Sequence, residues 1–392
     1  MVSVWSATFR TFPEARIETD RYRIYRNPGG VRSGSDYQME FCKTDIAHVP
    51  WDQLDNFSDR LFSQRYEWLD FVSKVSGGEI VIATLKDGHK VIGYFSGILF
   101  HRFGVPILGS PFPGWTTTYM GFNLEPHVSR VEALEALKRF AFNQLGCLHL
   151  EILDRHLTMD QLAGLDVDTV VEPTYISPLD LDEEQILAGM SSACRRCIRK
   201  AEKNGLIIEE ATPGGFADEY YEQLIDVFAK QDLRPPYTKQ YVQTLIDKIH
   251  PSGDALLLRA KTRDGEKIAS AIYFGHKDHS LFWGNGSLRS HQNLRPNEAL
   301  HWYALRYWKK RGVKYHDWCG PNDYKKKYGP QLCQVPRIRI SRYRALGWAR
   351  DAAFRLYTLP RVIKRRRFQK QIKQTGENRS ANSSGNTHAS SP

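Results

Sequence analysis

The chain has 392 residues, 41% of them apolar and 12% aromatic, a globular composition long enough for two full cores. No apolar run approaches the ~20 residues of a membrane-spanning helix, the start MVSVWSATFR has no secretory pattern, and six cysteines at this length argue against a disulfide scaffold. The net charge of +11 is uneven: Arg337 to Pro392 holds 14 Lys and Arg against 2 Asp and Glu, leaving 41 against 42 in the body.

Residues 1–36 are polar, with Pro28-Gly29-Gly30, and are expected to form a loose leader. A first domain is expected over 37–172. It begins with a strand at Tyr37–Phe41 and helices at Trp51–Asp55 and Tyr66–Val75. Two apolar runs, Glu79–Thr84 and Val91–Phe100, flank Asp87-Gly88, which reads as a hairpin turn that accepts positive φ. A Gly/Pro/Thr loop from Gly109 to Gly121 follows, then a helix at Val131–Leu145 and a strand at Cys147–Leu153. Pro173–Pro178 reads as the crossover into a second domain, 173–340. There the pattern gives a helix over Glu183–Asn204, with Gly205 as its C-cap, and a strand at Ile207–Glu210. Helices follow at Phe216–Gln231 and Lys239–Ile249. A meander comes next (Ala255–Thr262, Lys267–His276, Ser280–Gly284), and a helix at Pro296–Arg311 and a strand at Val313–Trp318 close the domain. Helices, an antiparallel meander, a helix and a strand make an α+β pattern.

Residues 341–373 are expected to form a basic helical extension. Arg350, Arg355, Arg361 and Lys364 to Arg367 are interleaved there with Trp348, Phe354, Leu356, Tyr357, Leu359 and Phe368. This suits an anionic membrane surface through residues 337–373, or nucleic acid, or a plain solvated tail. The Ser/Asn/Gly-rich residues 374–392 are expected to be disordered.

Two segments occur twice. Glu132-Ala133-Leu134 and Gly146 fall on Glu298-Ala299-Leu300 and Gly312 at an offset of 166, and Asp87-Gly88 falls on Asp264-Gly265 at 177. The chain therefore reads as a duplication. The difference of 11 places the longer insertion in the first copy, around Gly109–Gly121. Glu151 falls on Asp317, and the second copy alone runs on into Tyr324-Lys-Lys-Lys-Tyr-Gly329. That asymmetry directs the search for chemistry to the second copy.

Four segments of that copy carry a resemblance. Arg195-Arg-Cys-Ile-Arg-Lys-Ala-Glu-Lys-Asn-Gly205, Pro296-Asn-Glu-Ala-Leu-His-Trp302, Asp317-Trp-Cys-Gly320 and Tyr324-Lys-Lys-Lys-Tyr-Gly329 lie in order. Together they resemble the GNAT superfamily of acyltransferases, and within it the tandem-domain Fem-type group with its BioF-like acetyltransferase relatives. The resemblance implies two tandem GNAT-like α+β domains, each a mixed, mostly antiparallel sheet with flanking helices. It implies acyl transfer to an amine or hydroxyl of a cell-envelope or polysaccharide precursor. Acyl-CoA is the favoured donor, because tRNA would gain from a basic body. It also singles out Lys325, whose cation would face a developing oxyanion or a phosphate; the alternative for the lysine run is a solvated turn.

Asp317 and His316 are candidate proton acceptors, of which one must point away in a strand; Asp317 is the one retained, with a structural aspartate as its alternative. Arg196, Arg199 and Lys200, with Lys203, share a helix face that would hold a diphosphate-sugar acceptor or tRNA phosphates. Trp115, Thr116, Tyr119, Tyr324 and Tyr328 are candidate substrate contacts. GNAT enzymes usually carry Q/R-x-x-G-x-G/A before the donor helix, and here His291–Asn297 has no glycine. Arg295 and Asn297 are its candidate phosphate ligands. No metal and no tightly bound cofactor is expected, since Cys194 and Cys197 form a lone C-x-x-C. Expected partners are a small-molecule or lipid-linked sugar or peptide precursor, with tRNA not favoured. The compartment is the cytoplasm, with peripheral attachment at the inner face of the membrane. The alternatives are a tRNA-dependent aminoacyl transferase of the peptidoglycan-bridge type, against which Gly109-Ser-Pro-Phe-Pro lacks the expected acid, and a non-catalytic envelope-assembly scaffold.

Overall fold

In the computed structural model, the described residues are 39–229 and 233–352. The first half contributes strands β1 (Glu40–Thr44), β2 (Glu79–Asp87), β3 (Lys90–Arg102), β4 (Val105–Ser110), β5 (Gly121–Leu124) and β6 (His149–Ile152). Its helices are α1 (Trp51–Leu54), α2 (Tyr66–Ser76) and α3 (Arg130–Arg139). Then come β7 (Asp168–Pro178), α4 (Glu183–Gly189), α5 (Ser192–Lys203), β8 (Ile207–Glu210), α6 (Phe216–Ala229) and α7 (Lys239–Ile249). The chain continues through β9 (Ala255–Lys261), β10 (Lys267–His276), β11 (His279–Ser287), α8 (Pro296–Lys310), β12 (Tyr315–Asp317) and β13 (Gln331–Ser341).

All thirteen strands join one mixed sheet in the order β1-β2-β3-β4-β6-β13-β7-β12-β11-β10-β9-β8, with β5 beside β3. Read from either end, the order repeats itself. The hairpin β2–β3 corresponds to β9–β10, both antiparallel. The parallel pair β4–β6 corresponds to β11–β12. Helices α3 and α8 occupy the same place in each half. Gly88 and Gly265 sit at the equivalent turns with φ of 59° and 86°, the left-handed region that favours glycine. The α+β duplication is therefore present, and the first-copy insertion is the segment 111–124 that holds β5.

The centre of the sheet departs from the expected boundary. Pro173–Pro178, read as a crossover, is the end of β7, and β7 pairs with β12 and β13 of the other half. The last strand, β13, returns to lie beside β6. Each half thus lends its final strand to the seam. Division into 37–172 and 173–340 cuts across this exchange, and the first compact unit runs unbroken to Ile340. The helix expected over 183–204 is two helices. Ser191 accepts from Cys194 N–H and starts α5, while Arg195 reaches back to the carbonyls of Ala188 and Met190 at the end of α4.

One face of the sheet carries a core common to both halves. Phe62, Trp68 and Met120 pack there with Tyr220, Ile272, Phe274 and Leu281. The Phe62 and Phe274 rings stack at 5.5 Å and Trp68 meets Phe274 edge-on at 5.1 Å. Each such side chain buried contributes roughly 1.5–3 kcal/mol. Arg65 donates to Asp254 across the same seam. The opposite face is divided, with Leu134 and Leu137 of α3 in one cluster and Leu300 and Leu305 of α8 in another.

A second compact unit begins at Ser341. Residues 344–352, within the extension expected over 341–373, are helical. The expected leader (1–36), the rest of the extension and the tail (374–392) lie outside the described residues. Among the described residues no helix is long and apolar enough to cross a membrane.

Candidate active site

Strands β11 and β12 pair in parallel over three residues, His279–Leu281 with Tyr315–Asp317. Then β12 stops, and β11 runs on to Ser287 with β10 on its other side. The register of β10 and β11 shifts between Ile272 and Tyr273, so Trp283 stands as an extra residue in β11. Trp283, Gly284 and Asn285 are half-buried although they lie inside a thirteen-stranded sheet. The strand therefore has an open edge here, beside the segment that leaves β12. Helix α8 begins just beyond the end of β11. Its Asn297 accepts from Asn285 Nδ2 at 3.0 Å and donates to Ser287 Oγ at 3.3 Å, tying helix start to strand end.

Asp317 ends β12 and is fully buried. Its Oδ1 accepts from Thr174 Oγ1 at 2.6 Å and from Cys319 N–H at 2.7 Å, and its Oδ2 accepts from Tyr119 OH at 2.6 Å. Burial pushes its pKa up, opposed by the Thr174, Tyr119 and Cys319 hydrogen bonds and by nearby Lys325. Tyr119 belongs to the inserted loop of the first half, so the carboxylate is held from both copies. His316 points the other way, to Ser280 Oγ at 2.9 Å, as strand alternation requires. Burial lowers its pKa to about 3 and keeps it neutral.

Lys325 is also fully buried, which overturns the expectation of a cation projected at a substrate. Its Nζ donates to the carbonyls of Trp318, Cys319 (2.9 Å) and Gly320 (3.5 Å). These three residues, where the chain leaves β12 and its pairing with β11 ends, form the lip of the site. Cys319 and Gly320 both have positive φ, 54° and 98°, and the ammonium gathers their carbonyls inward. Desolvation lowers its pKa to about 8, so it stays protonated at neutral pH. Behind it, Gly329 packs so closely that a Cβ would lie 2.2 Å from the Gly189 carbonyl, and Ser191 N–H donates to Lys327 O at 2.8 Å. The lysine–aromatic turn is thus seated on the α4–α5 junction.

The other sequence candidates divide by exposure. Tyr328 stacks on Trp318 at 4.5 Å and is core, whereas Tyr324 is 41% exposed beside the lip. Trp115 is core too, edge-on to Phe100 at 5.2 Å, and cannot offer a face to a sugar. Tyr119 is equally buried and acts through its hydroxyl, not by stacking. Thr116 is half-buried and shares a hydrogen bond of 2.8 Å with Tyr241 OH. Arg196, Arg199 and Lys200 are exposed on α5, and Arg295 is exposed at the N-cap of α8. Sequence reading missed Thr174, Trp283 and an aromatic wall joining Trp283 to Tyr237 at 4.9 Å and Tyr237 to Tyr241 at 5.6 Å. Trp283 was legible as a residue of the meander, but the end of β12 beside it was not.

The first half repeats the arrangement in a closed form. Glu151 is the third residue of β6 as Asp317 is of β12, and Arg337 of β13 lies beside it as Thr174 of β7 lies beside Asp317. Arg337 is ion-paired with Glu172 and lies 3.9 Å from Glu151, and it donates to Pro111 O at 2.8 Å. Trp115 and Phe112 press on Gly109 at the end of β4, where a Cβ would meet each at 2.7 Å. One copy is plugged and the other is open.

Residues 189–326, which contain the open copy, match the family model of an acetyltransferase (GNAT) domain. Among solved structures, FemX has the same fold, with a TM-score of 0.63 at 15% identity, over 79% of this chain and 98% of that one. A conserved protein of unknown function from Bacteroides thetaiotaomicron VPI-5482 gives 0.50 at 12% identity, over 77% and 98%. No curated protein sequence matches the chain. The second half is therefore similar to an acetyltransferase (GNAT) domain. The fold of the whole described chain is that seen in FemX.

Proposed function

We propose that the open copy transfers an acyl group from an activated donor, acyl-CoA favoured, to an amine or hydroxyl of a cell-envelope or polysaccharide precursor. The observation that carries this reading is the free edge of β11 beside the Lys325-held lip, inside the GNAT domain. Backbone N–H groups on an open strand edge can polarise the donor carbonyl and hold the oxyanion that forms. The acceptor's lone pair then bonds to the carbonyl carbon, the donor's C–S or C–O bond breaks, and the acceptor's proton passes to solvent. Lys325 and Asp317 serve this step by position: one draws the lip inward and the other joins it to β7 and to the first-half loop. Tyr324, Trp283 and Tyr241 offer half-open faces for the acceptor.

The choice of donor has a specific counter-observation. Glu298 lies in the first turn of α8 with its carboxylate buried and paired to Lys327 Nζ at 2.7 Å. An acid there weakens the field that a donor diphosphate would seek. The exposed row Arg196, Arg199, Lys200 and Lys203 on α5 then supports aminoacyl-tRNA as the second reading. The deciding experiment supplies labelled acetyl-CoA or labelled aminoacyl-tRNA with a panel of amino-sugar and peptide acceptors. Transfer from acetyl-CoA alone supports the favoured reading, and transfer from tRNA alone replaces it. No transfer from either donor leaves the non-catalytic scaffold.

A further inference from the structure

We propose that the unit beginning at Ser341 is a docking surface for an anionic lipid bilayer. The first observation is where charge resides. Between Arg337 and Gly376 the sequence has a single acid, Asp351, and Arg350 Nη2 bonds to it at 2.9 Å. Thirteen Lys and Arg share that stretch, while the body upstream of Arg337 is balanced at 41 against 42. The basic field is thus confined to one end of the chain. The second observation is what accompanies it. Within the described part, Tyr343 and Trp348 are 57% and 58% exposed, and Arg342 and Arg344 beside them are exposed. Arg344 and Trp348 are four apart in the helix at 344–352 and share a face.

Large aromatics left in water beside arginines fit the headgroup region of a bilayer, where indole and phenol rings meet both an apolar and a wet phase. The sequence further along repeats the composition, with Phe354, Leu356, Tyr357, Leu359 and Phe368 among Arg355, Arg361 and Lys364 to Arg367. Leucine gains nothing from a phosphate chain, whereas it gains from the acyl boundary, so this mixture favours a bilayer over nucleic acid. The inference stands apart from acyl transfer, because vesicle binding needs no turnover.

The test uses the full chain and co-sedimentation with vesicles of phosphatidylcholine, alone or mixed with phosphatidylglycerol. Each cation near an anionic surface is worth roughly fivefold in partitioning. Binding is expected with the anionic vesicles only, and raised salt should weaken it. Replacing Arg361, Lys364, Arg365, Arg366 and Arg367 together by Gln should lower it on the order of a thousandfold or more. Tyr343→Ala with Trp348→Ala should lower it several-fold at unchanged charge, with circular dichroism confirming the fold. Equal partitioning into both vesicle types, or an undiminished five-Gln variant, would overturn the proposal. So would a Tyr343→Ala/Trp348→Ala variant that binds like the parent.

Discussion

Replacing Lys325 by alanine should lower stability as well as turnover. The carbonyls of Trp318, Cys319 and Gly320 would lose a buried charged donor, at a cost of roughly 2–4 kcal/mol. Lys326→Ala should leave the urea midpoint where it is, because that side chain is exposed and pairs with Asp323 beside it. A Lys325→Ala protein that melts like the parent would show that the ammonium does not hold the lip. Tyr119→Phe is the second test at this scale. It removes one of three donors to Asp317, should cost about 1–2 kcal/mol, and should raise the aspartate's pKa further. Carboxyl titration followed by infrared difference spectroscopy reads that shift directly. The motif spacing marked Lys325 among three adjacent lysines, and strand alternation separated Asp317 from His316. Sequence could not reveal that the lysine is buried, nor that Tyr119 reaches a partner 198 residues away. Those facts depend on long-range packing, which leaves no local periodicity.

The hairpins and the α3 and α8 helices were legible because each carries its own signal, an Asp-Gly turn or an apolar face at helical spacing. Strand β13 was not. Its sequence, QLCQVPRIRIS, contains Pro336, and a proline argues against a central strand because it gives no N–H to the ladder. Here Pro336 lies opposite Val171 at the middle of the sheet. Arg337 follows it and is 8% exposed in its side chain, between Glu172 and Glu151. Arg337→Ala should therefore cost about 2–4 kcal/mol by leaving buried acid uncompensated, discounted because Glu172 is part-exposed. Urea denaturation measures it, and a loss below the range for surface pairs would mean that β13 is held by its backbone alone. The break between α4 and α5 was invisible for a different reason. Helical periodicity runs through Met190 and Ser191, and the cap that ends it comes from Arg195 folding back.

For the molecule as a whole, buried imidazoles set an acid limit. His316 is pushed down to about 3 and His301 is pushed well below its ordinary value, chiefly by burial. Both titrate near 6.5 when unfolded. The native state then binds fewer protons than the unfolded one, so stability is full above pH ~6.5 and falls as pH drops towards 3. At pH 5 the loss for His316 is about 2 kcal/mol. Urea midpoints at pH 7 and pH 5 should differ accordingly, and equal midpoints would mean that these rings are solvated in the native state. Tryptophan fluorescence and circular dichroism should report one coincident transition, since the halves share strands. Duplication, fold class and the open copy's motifs were all legible in the sequence. The shared seam was not, because strand exchange changes which strands pair without changing any local pattern.

That exchange also imposes an order in time. Ile176 in β7 pairs with Gln331, 155 residues further along the chain. At about 5–20 residues per second of synthesis, β7 waits roughly 8–30 s for its β13 partner. During that interval its unpaired backbone is open to any other chain that offers an edge. Whatever protects nascent polypeptides in the cell must cover Asp168–Pro178 until Gln331–Ser341 has been made. Slowing translation downstream of β7 should then lower soluble yield without altering the stability of the molecules that finish folding.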